Sequence, residues 1–298
     1  MKQVERPQIE GSIAVRDNRR LGFAEYGDAH GQAIVWMHGT PGARRQIPME
    51  ARDFADREGL RIIGIDRPGI GSSTPFVYES ILDWTGDLVI VADTLGITDM
   101  RVIGLSGGGP YALAAGAALP DRVKSVGVLG GVAPFTGPDA INGGALQLAS
   151  HFVPLVSVAR VPIGMVLTGA IWMVKPIAGR FLDAFAMMQP EGDKRLLSRP
   201  EFKAMFVDDL LNGSRKQVTA PFSDLMLFCR DWGFQASDVT VPVLWWHGDD
   251  DNIIPHRHGE HMVDRLPDAR LITIAGESHL GGYGRVEEVL TSLLSVGD

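Results

Sequence analysis

Apolar positions in the first half of the chain follow two alternating rhythms. Short runs at Ala33 to Met37 ("AIVWM"), Leu60 to Ile65 ("LRIIGI"), Arg101 to Leu105 and Val123 to Leu129 ("VKSVGVL") have the length and β-branched content of buried strands. Between them lie stretches with helical spacing: near Ile47 to Arg57, through Ile81, Trp84, Leu88, Ala92 and Leu95, and after Pro110. Ahead of these, Ile9 to Val15 and Leu21 to Tyr26 flank the polar "RDNRR" and predict a hairpin. Strands alternating with helices predict βαβ units around a parallel sheet, an α/β fold.

The rhythm stops between about Phe135 and Gln235. That stretch is rich in Met, Phe, Leu and Ala, is broken by prolines, and predicts several helices, including Glu201 to Leu211 and Phe222 to Trp232. The alternation then resumes with Val241 to Gly248 ("VPVLWWHG"), a helix near His258 to Leu266, the strand Ala269 to Ala275 and a last helix from Val286. The expected organisation is one core formed by residues 1–134 and 236–298, interrupted by a helical insertion at 135–235. Inside the insertion, "VPIGMVLTGAIWMV" between Arg160 and Lys175 carries no charge. It is shorter than the ~20 residues of a spanning helix, and Pro162 and Gly164 stand near its start, so a buried or pocket-lining helix is expected and no stable membrane insertion.

Composition narrows the class further. With 298 residues, 45% of them hydrophobic, 21% charged and a net charge of −8, the chain can bury a substantial core. The acidic balance argues against nucleic acid, whose phosphates call for clustered Lys and Arg. The start, "MKQVERPQIEG", has no apolar stretch of the secretory kind, so a cytoplasmic location is the expectation. Cys229 is the single cysteine and is expected to be a small buried apolar residue. Nothing in these numbers fixes an oligomeric state.

Candidate chemistry centres on "VIGLSGGGPYALAAG", where Ser106 falls on a strand-to-helix turn with Gly104 two residues before it and Gly108 two after. This pattern suits a nucleophile elbow, in which strand and helix approach too closely for side chains at the flanking positions. A phosphate-cradling loop fits less well, because Gly104, Ser106 and Gly109 do not give G-x-G-x-x-G and no Lys follows. A nucleophilic serine needs a base and a group to orient that base. "WWHGDDDNIIP" offers Asp249, Asp250 and Asp251 after one late strand, and "IAGESHLGG" offers His279 after the last, whereas "GGVAP" after Leu129 contains no acid. "WMHGTPG" supplies an early loop from which Thr40 could donate a backbone N–H beside that of Gly107, the two donors an oxyanion requires. The cluster "HRHGEH", with His256, His258 and His261, is expected to be a solvated helix face rather than a metal site.

Five of these stretches, "HGTPG", "DRPGIGSS" (Asp66 to Ser73), "GLSGGG", "HGDDDNIIP" and "GESHLGG", resemble in order and spacing the motifs of α/β-hydrolase fold proteins. "RDWGF…VPVLWWHG" is similar to a common bacterial subgroup of them. The resemblance implies a mostly parallel eight-stranded sheet flanked by helices, with the insertion as a helical cap over the nucleophile. It implies Ser106 as nucleophile, Asp251 as the acid of a G-x-x-D-x-x-x-P pattern ending at Pro255, His279 as base, and Thr40 and Gly107 as oxyanion donors, with no metal or organic cofactor. Haloalkane dehalogenases and epoxide hydrolases with such caps carry an aspartate where Ser106 stands. Proline iminopeptidases share a loop like "HGTPG" but usually carry G-G-S-W-G at the serine, and "GLSGGG" lacks the tryptophan.

The expected activity is therefore carboxylesterase-like or lipase-like hydrolysis of a small apolar ester. Serine-dependent carbon–carbon hydrolysis and perhydrolysis would use the same triad, and a ligand sensor would keep the fold without turnover. In the cap, Phe152, Val156, Met165, Leu167, Ile171, Trp172 and Met173 are expected to divide between the cap's own core and an apolar pocket.

Overall fold

The computed structural model describes residues 5–141 and 151–297. Eight strands, β1 (Ile9–Ala14), β2 (Arg20–Gly27), β3 (Gln32–Met37), β4 (Leu60–Ile65), β5 (Met100–Leu105), β6 (Val123–Leu129), β7 (Val243–Gly248) and β8 (Ala269–Ile274), form one sheet in the order β1-β2-β4-β3-β5-β6-β7-β8. The β1–β2 and β2–β4 pairs are antiparallel and every other pair is parallel. Strand β5 reads as an unbroken buried run because helices cover both faces of a parallel sheet. Strand β7 starts at Val243 rather than Val241: Pro242 has no N–H to give a ladder, and its carbonyl accepts from Val126.

Helices α1 (Met49–Glu58) and α11 (Val286–Leu294) pack on one face with Ile34, Trp36, Ile62 and Ile103. Helices α2 (Thr85–Thr94), α3 (Gly109–Ala118) and α9 (Arg257–Val263) pack on the other with Val35, Val102, Val126 and Trp245. Between β6 and β7 the described residues form α4 (Val153–Val174), α5 (Ala178–Met187), α6 (Glu191–Ser198), α7 (Pro200–Gly213) and α8 (Ala220–Phe228). The short helix α10 (Gly281–Gly284) follows β8.

Three expectations need correction. Helix α4 is not buried along most of its length, and at 22 residues it is longer than the uncharged run suggested. It packs through one stripe, with Gly164 against Val218 and Thr219 and Ile171 against the small cluster of Ala43, Ile70, Val218 and Ala220. Of the named cap residues, Val156 is buried, but Phe152, Met165, Leu167, Trp172 and Met173 are exposed. Among the described residues the helix is covered along that stripe, and its other large apolar side chains stand exposed. Second, His258 is fully buried rather than solvated and accepts from the Ala133 N–H at 3.3 Å. His256 and His261 bond Thr273 and the Asp139 carbonyl, and among the described residues no cluster of His, Cys, Asp and Glu could hold a metal. Third, Cys229 is half-buried.

Candidate active site

Strand β5 delivers Ser106 to the carboxyl edge of the sheet with φ of +51°, a left-handed conformation that costs a non-glycine residue about 1–3 kcal/mol. The turn is tight enough that a methyl group on Gly104 would stand 2.3 Å from the Gly108 carbonyl oxygen, and one on Gly108 would stand 2.3 Å from that of Met37. Only glycine fits at both places, which is why the serine is flanked as it is. The side chain of Ser106 is therefore aimed by a backbone that the neighbouring strands over-determine.

Asp251 and His279 arrive from the ends of β7 and β8. His279 Nδ1 lies 2.8 Å from Asp251 Oδ2, while Asp251 Oδ1 accepts from the backbone N–H groups of Ile253 and Ile254, both at 2.9 Å. With Nδ1 committed to the carboxylate, Nε2 is the nitrogen left to take a proton. Burial alone would push the Asp251 carboxyl up, but His279 and His247 outweigh it and hold it well below the usual carboxylate range. Burial likewise opposes charge on His279, yet Asp251 and then Asp193 raise its pKa above the ordinary 6.5. The other two aspartates of the run take no part: Asp249 bonds the Gly276 N–H, and both Asp249 and Asp250 are exposed. The histidine loop and the helix after the serine both lie against the turn that follows β6: a methyl at Gly130 would touch His279 Nδ1 at 3.4 Å, and Gly109, three residues after the serine, lies against Gly131.

Thr40 lies directly on the residue after the nucleophile, since a methyl at Gly107 would stand 2.3 Å from Thr40 Oγ1. A buried polar network fixes this loop. Thr40 Oγ1 donates to Asp224 at 2.7 Å and accepts from Arg67 Nη2 at 2.8 Å. Arg67 grips Asp224 through Nε and Nη2 and also donates to the carbonyls of His38 and Gly39. Tyr111 donates to Asp224 at 2.8 Å, and burial, then Asp224, pushes its phenol well above 10. His38 is held neutral by burial and by Arg67, with Nδ1–H facing the Gly39 carbonyl and Nε2 accepting from the Arg67 N–H.

Residues 28–280 match the family described as serine aminopeptidase, S33. The chain belongs to this family. As an S33 chain it is 34% identical over 129 residues to a proline iminopeptidase of Xylella fastidiosa, a stretch covering 42% of this chain and 40% of that enzyme. It is 27% identical over 262 residues to a 2-hydroxy-6-oxononadienedioate/2-hydroxy-6-oxononatrienedioate hydrolase of Burkholderia vietnamiensis, covering 86% of this chain and 83% of that one. An esterase structure from Rhodococcus sp. ECU1013 superimposes with a TM-score of 0.69 at 20% identity, covering 97% and 99% of the two chains. That last likeness speaks to the α/β-hydrolase fold.

Three parts of this S33 site had no local pattern to reveal them. Arg67 and Asp224 are 157 residues apart. The signal available was a charged residue, Arg67, inside an otherwise apolar and glycine-rich turn. Asp193 of α6 is buried and accepts from the Leu280 N–H at 2.8 Å, tying the cap to the histidine loop from behind. Burial, more than Asp251, pushes its carboxyl upward, against the Leu280 N–H and His279, which pull it down. His247 accepts the Trp245 indole N–H on Nδ1, so its proton sits on Nε2, 2.8 Å from the Ile254 carbonyl and 3.3 Å from Asp251.

Proposed function

We propose that the chain is a serine hydrolase that cleaves uncharged carboxylic esters through an acyl-enzyme. The observation that carries this reading is the 2.8 Å His279–Asp251 bond at the same sheet edge where Ser106 is held at positive φ. Ser106 Oγ attacks the ester carbonyl while His279 Nε2 takes its proton, and the carbonyl oxygen becomes an oxyanion facing the backbone N–H groups of Thr40 and Gly107. His279 returns the proton to the leaving alcohol. Water, deprotonated by the same nitrogen, then releases the acid. Asp251 keeps Nδ1–H in place and stabilises the imidazolium.

An ester is favoured over a peptide amino terminus by the state of the cap carboxylates. An aminopeptidase has to pair the ammonium group of its substrate with an acid. Among the described residues, Asp183, Glu191, Glu201 and Asp208 are ion-paired with Lys203, Lys194, Arg199 and Arg45. Asp193, Asp209 and Asp231 accept from backbone N–H groups, Asp139 does the same, and Asp224 is held by Arg67 and Tyr111. Steady-state assays with p-nitrophenyl butyrate, a prolyl p-nitroanilide and a carbon–carbon-cleavage substrate test the reading. The ester is expected to turn over and Ser106→Ala to abolish both turnover and fluorophosphonate labelling. Faster amide than ester cleavage, or a labelled Ser106→Ala, would overturn it.

A further inference from the structure

Among the described residues sixteen large hydrophobic side chains are exposed, and fourteen of them lie between Phe152 and Met188, on α4, α5 and their flanks. Val158, Met173 and Val166 retain 86%, 83% and 74% of their surface. Large exposed apolar patches on a folded protein mark contact with something else. The charges around this one say what that is. From His151 to Leu182 there is no Asp or Glu, but there are three cations, Arg160, Lys175 and Arg180, in a chain of net −8. The next acid, Asp183, is neutralised by Lys203 at 2.6 Å. Lys175 Nζ stands 4.6 Å over the ring of the exposed Trp172, an aromatic and a cation side by side as at a membrane–water boundary.

Two other occupants fit less well. A two-fold contact between copies would set this net-cationic face, whose one acid is paired with Lys203, against itself. A helix crossing a bilayer would have to leave the protein, yet α4 is held along its length by Gly164 on Val218 and Thr219 and by Trp172 Nε1 donating to the Ser214 carbonyl at 2.9 Å. We infer that α4 and α5 dock the cap on an anionic lipid surface, lying in the plane of the interface. This goes beyond the ester-hydrolase reading and does not depend on it, because lipid binding is read without turnover.

Flotation of the full chain with vesicles tests the inference. Wild type is expected to float with phosphatidylcholine vesicles containing about one third phosphatidylglycerol, and about tenfold less with phosphatidylcholine alone. Val158→Asp combined with Val166→Asp should cut flotation by about tenfold or more, and Lys175→Glu combined with Arg180→Glu should do so on the anionic vesicles. Hydrolysis of p-nitrophenyl butyrate in lipid-free buffer and the far-ultraviolet circular dichroism of these variants should match wild type, separating loss of docking from loss of fold. Absence of wild-type flotation, or unchanged flotation of the Val158/Val166 variant, overturns the inference. So does equal binding to neutral vesicles, which removes the anionic surface, or a wild-type dimer in sedimentation that the same variant dissociates while no vesicle is bound, which assigns the face to a second copy.

Discussion

In β5 and β6 the side chains of Val102, Ile103, Val126 and Val128 have no exposed surface, whereas in α4 Val158 keeps 86% and Val166 74% of theirs. Both regions are comparably apolar in sequence, so the difference comes from what surrounds them. The strands lie in a sheet with helices on both faces, and each buried valine contributes roughly 1.5–3 kcal/mol to the folded state. Among the described residues helix α4 is covered along one stripe, with Val156 and Gly164 buried and Ile171 partly so. Hydrophobicity in a sequence thus tells that a surface will be covered, and the fold decides whether the chain itself does the covering.

The sharpest way to break the comparison is to place the same charge in both regions. Val126→Asp puts an unpaired carboxylate between the sheet and α3, where no cation is available to it, and is expected to cost at least about 3–5 kcal/mol. Urea or thermal denaturation, or failure to recover soluble protein, reads this directly. Native-like stability of that variant would contradict the burial on which the whole sheet rests.

At the carboxyl edge of the same sheet the next largest effect is on turnover. Asp251→Asn keeps an acceptor for the Ile253 and Ile254 N–H groups but can turn an amide N–H toward His279, favouring the tautomer whose Nε2 is already protonated. The expected loss in kcat is about 10³ to 10⁴-fold. Asp249→Asn and Asp250→Asn, on exposed side chains, should change kcat by no more than about twofold. A severe loss at Asp250 with an active Asp251→Asn enzyme would reassign the acid.

What the sequence reveals divides along the same line. Strands β4 and β6 occupy the residues their apolar runs mark, Leu60 to Ile65 and Val123 to Leu129, because a buried run bounded by turn residues has little freedom in where it ends. Ser106 stands out because two glycines are sterically required around it. In the sequence only the spacing to Pro255 sets Asp251 apart from its two neighbours, and in the turn after β7 it is Asp251 that accepts from the Ile253 and Ile254 N–H groups. Asp193, Asp224 and Asp209 lie on cap helices whose pattern records one face, not the distant loop each carboxylate reaches. Asp209 illustrates the point: it accepts from Ala43 at 2.9 Å and Arg45 at 3.1 Å, 166 and 164 residues away, and burial, with Asp66 adding to it, pushes its carboxyl up to about 7.

A smaller effect is expected where cap and sheet meet at the base. His279 has to be neutral to take a proton from Ser106, so kcat/KM should fall on the acid side with a midpoint above 6.5, the direction in which Asp251 and Asp193 move it. Asp193→Asn removes one of those charges while keeping an acceptor for the Leu280 N–H. The acid limb should move to lower pH and kcat at pH 8 should fall by about three- to tenfold. If Asp193 merely supported the fold, kcat would drop at every pH with the limb unmoved. A full pH profile of both enzymes separates the two, with Asp193→Glu as the conservative control.

The smallest expected effect completes the pair with which the comparison began. Val158→Asp in α4 replaces one residue of moderate helix propensity by another and adds a charge that is already in water. Its unfolding free energy should therefore stay within about 0.5 kcal/mol of wild type. The same substitution that dismantles the sheet at Val126 is tolerated at Val158, and denaturation curves of the two variants side by side measure the contrast. A loss of more than about 2 kcal/mol at Val158 would mean that α4 is covered by protein after all.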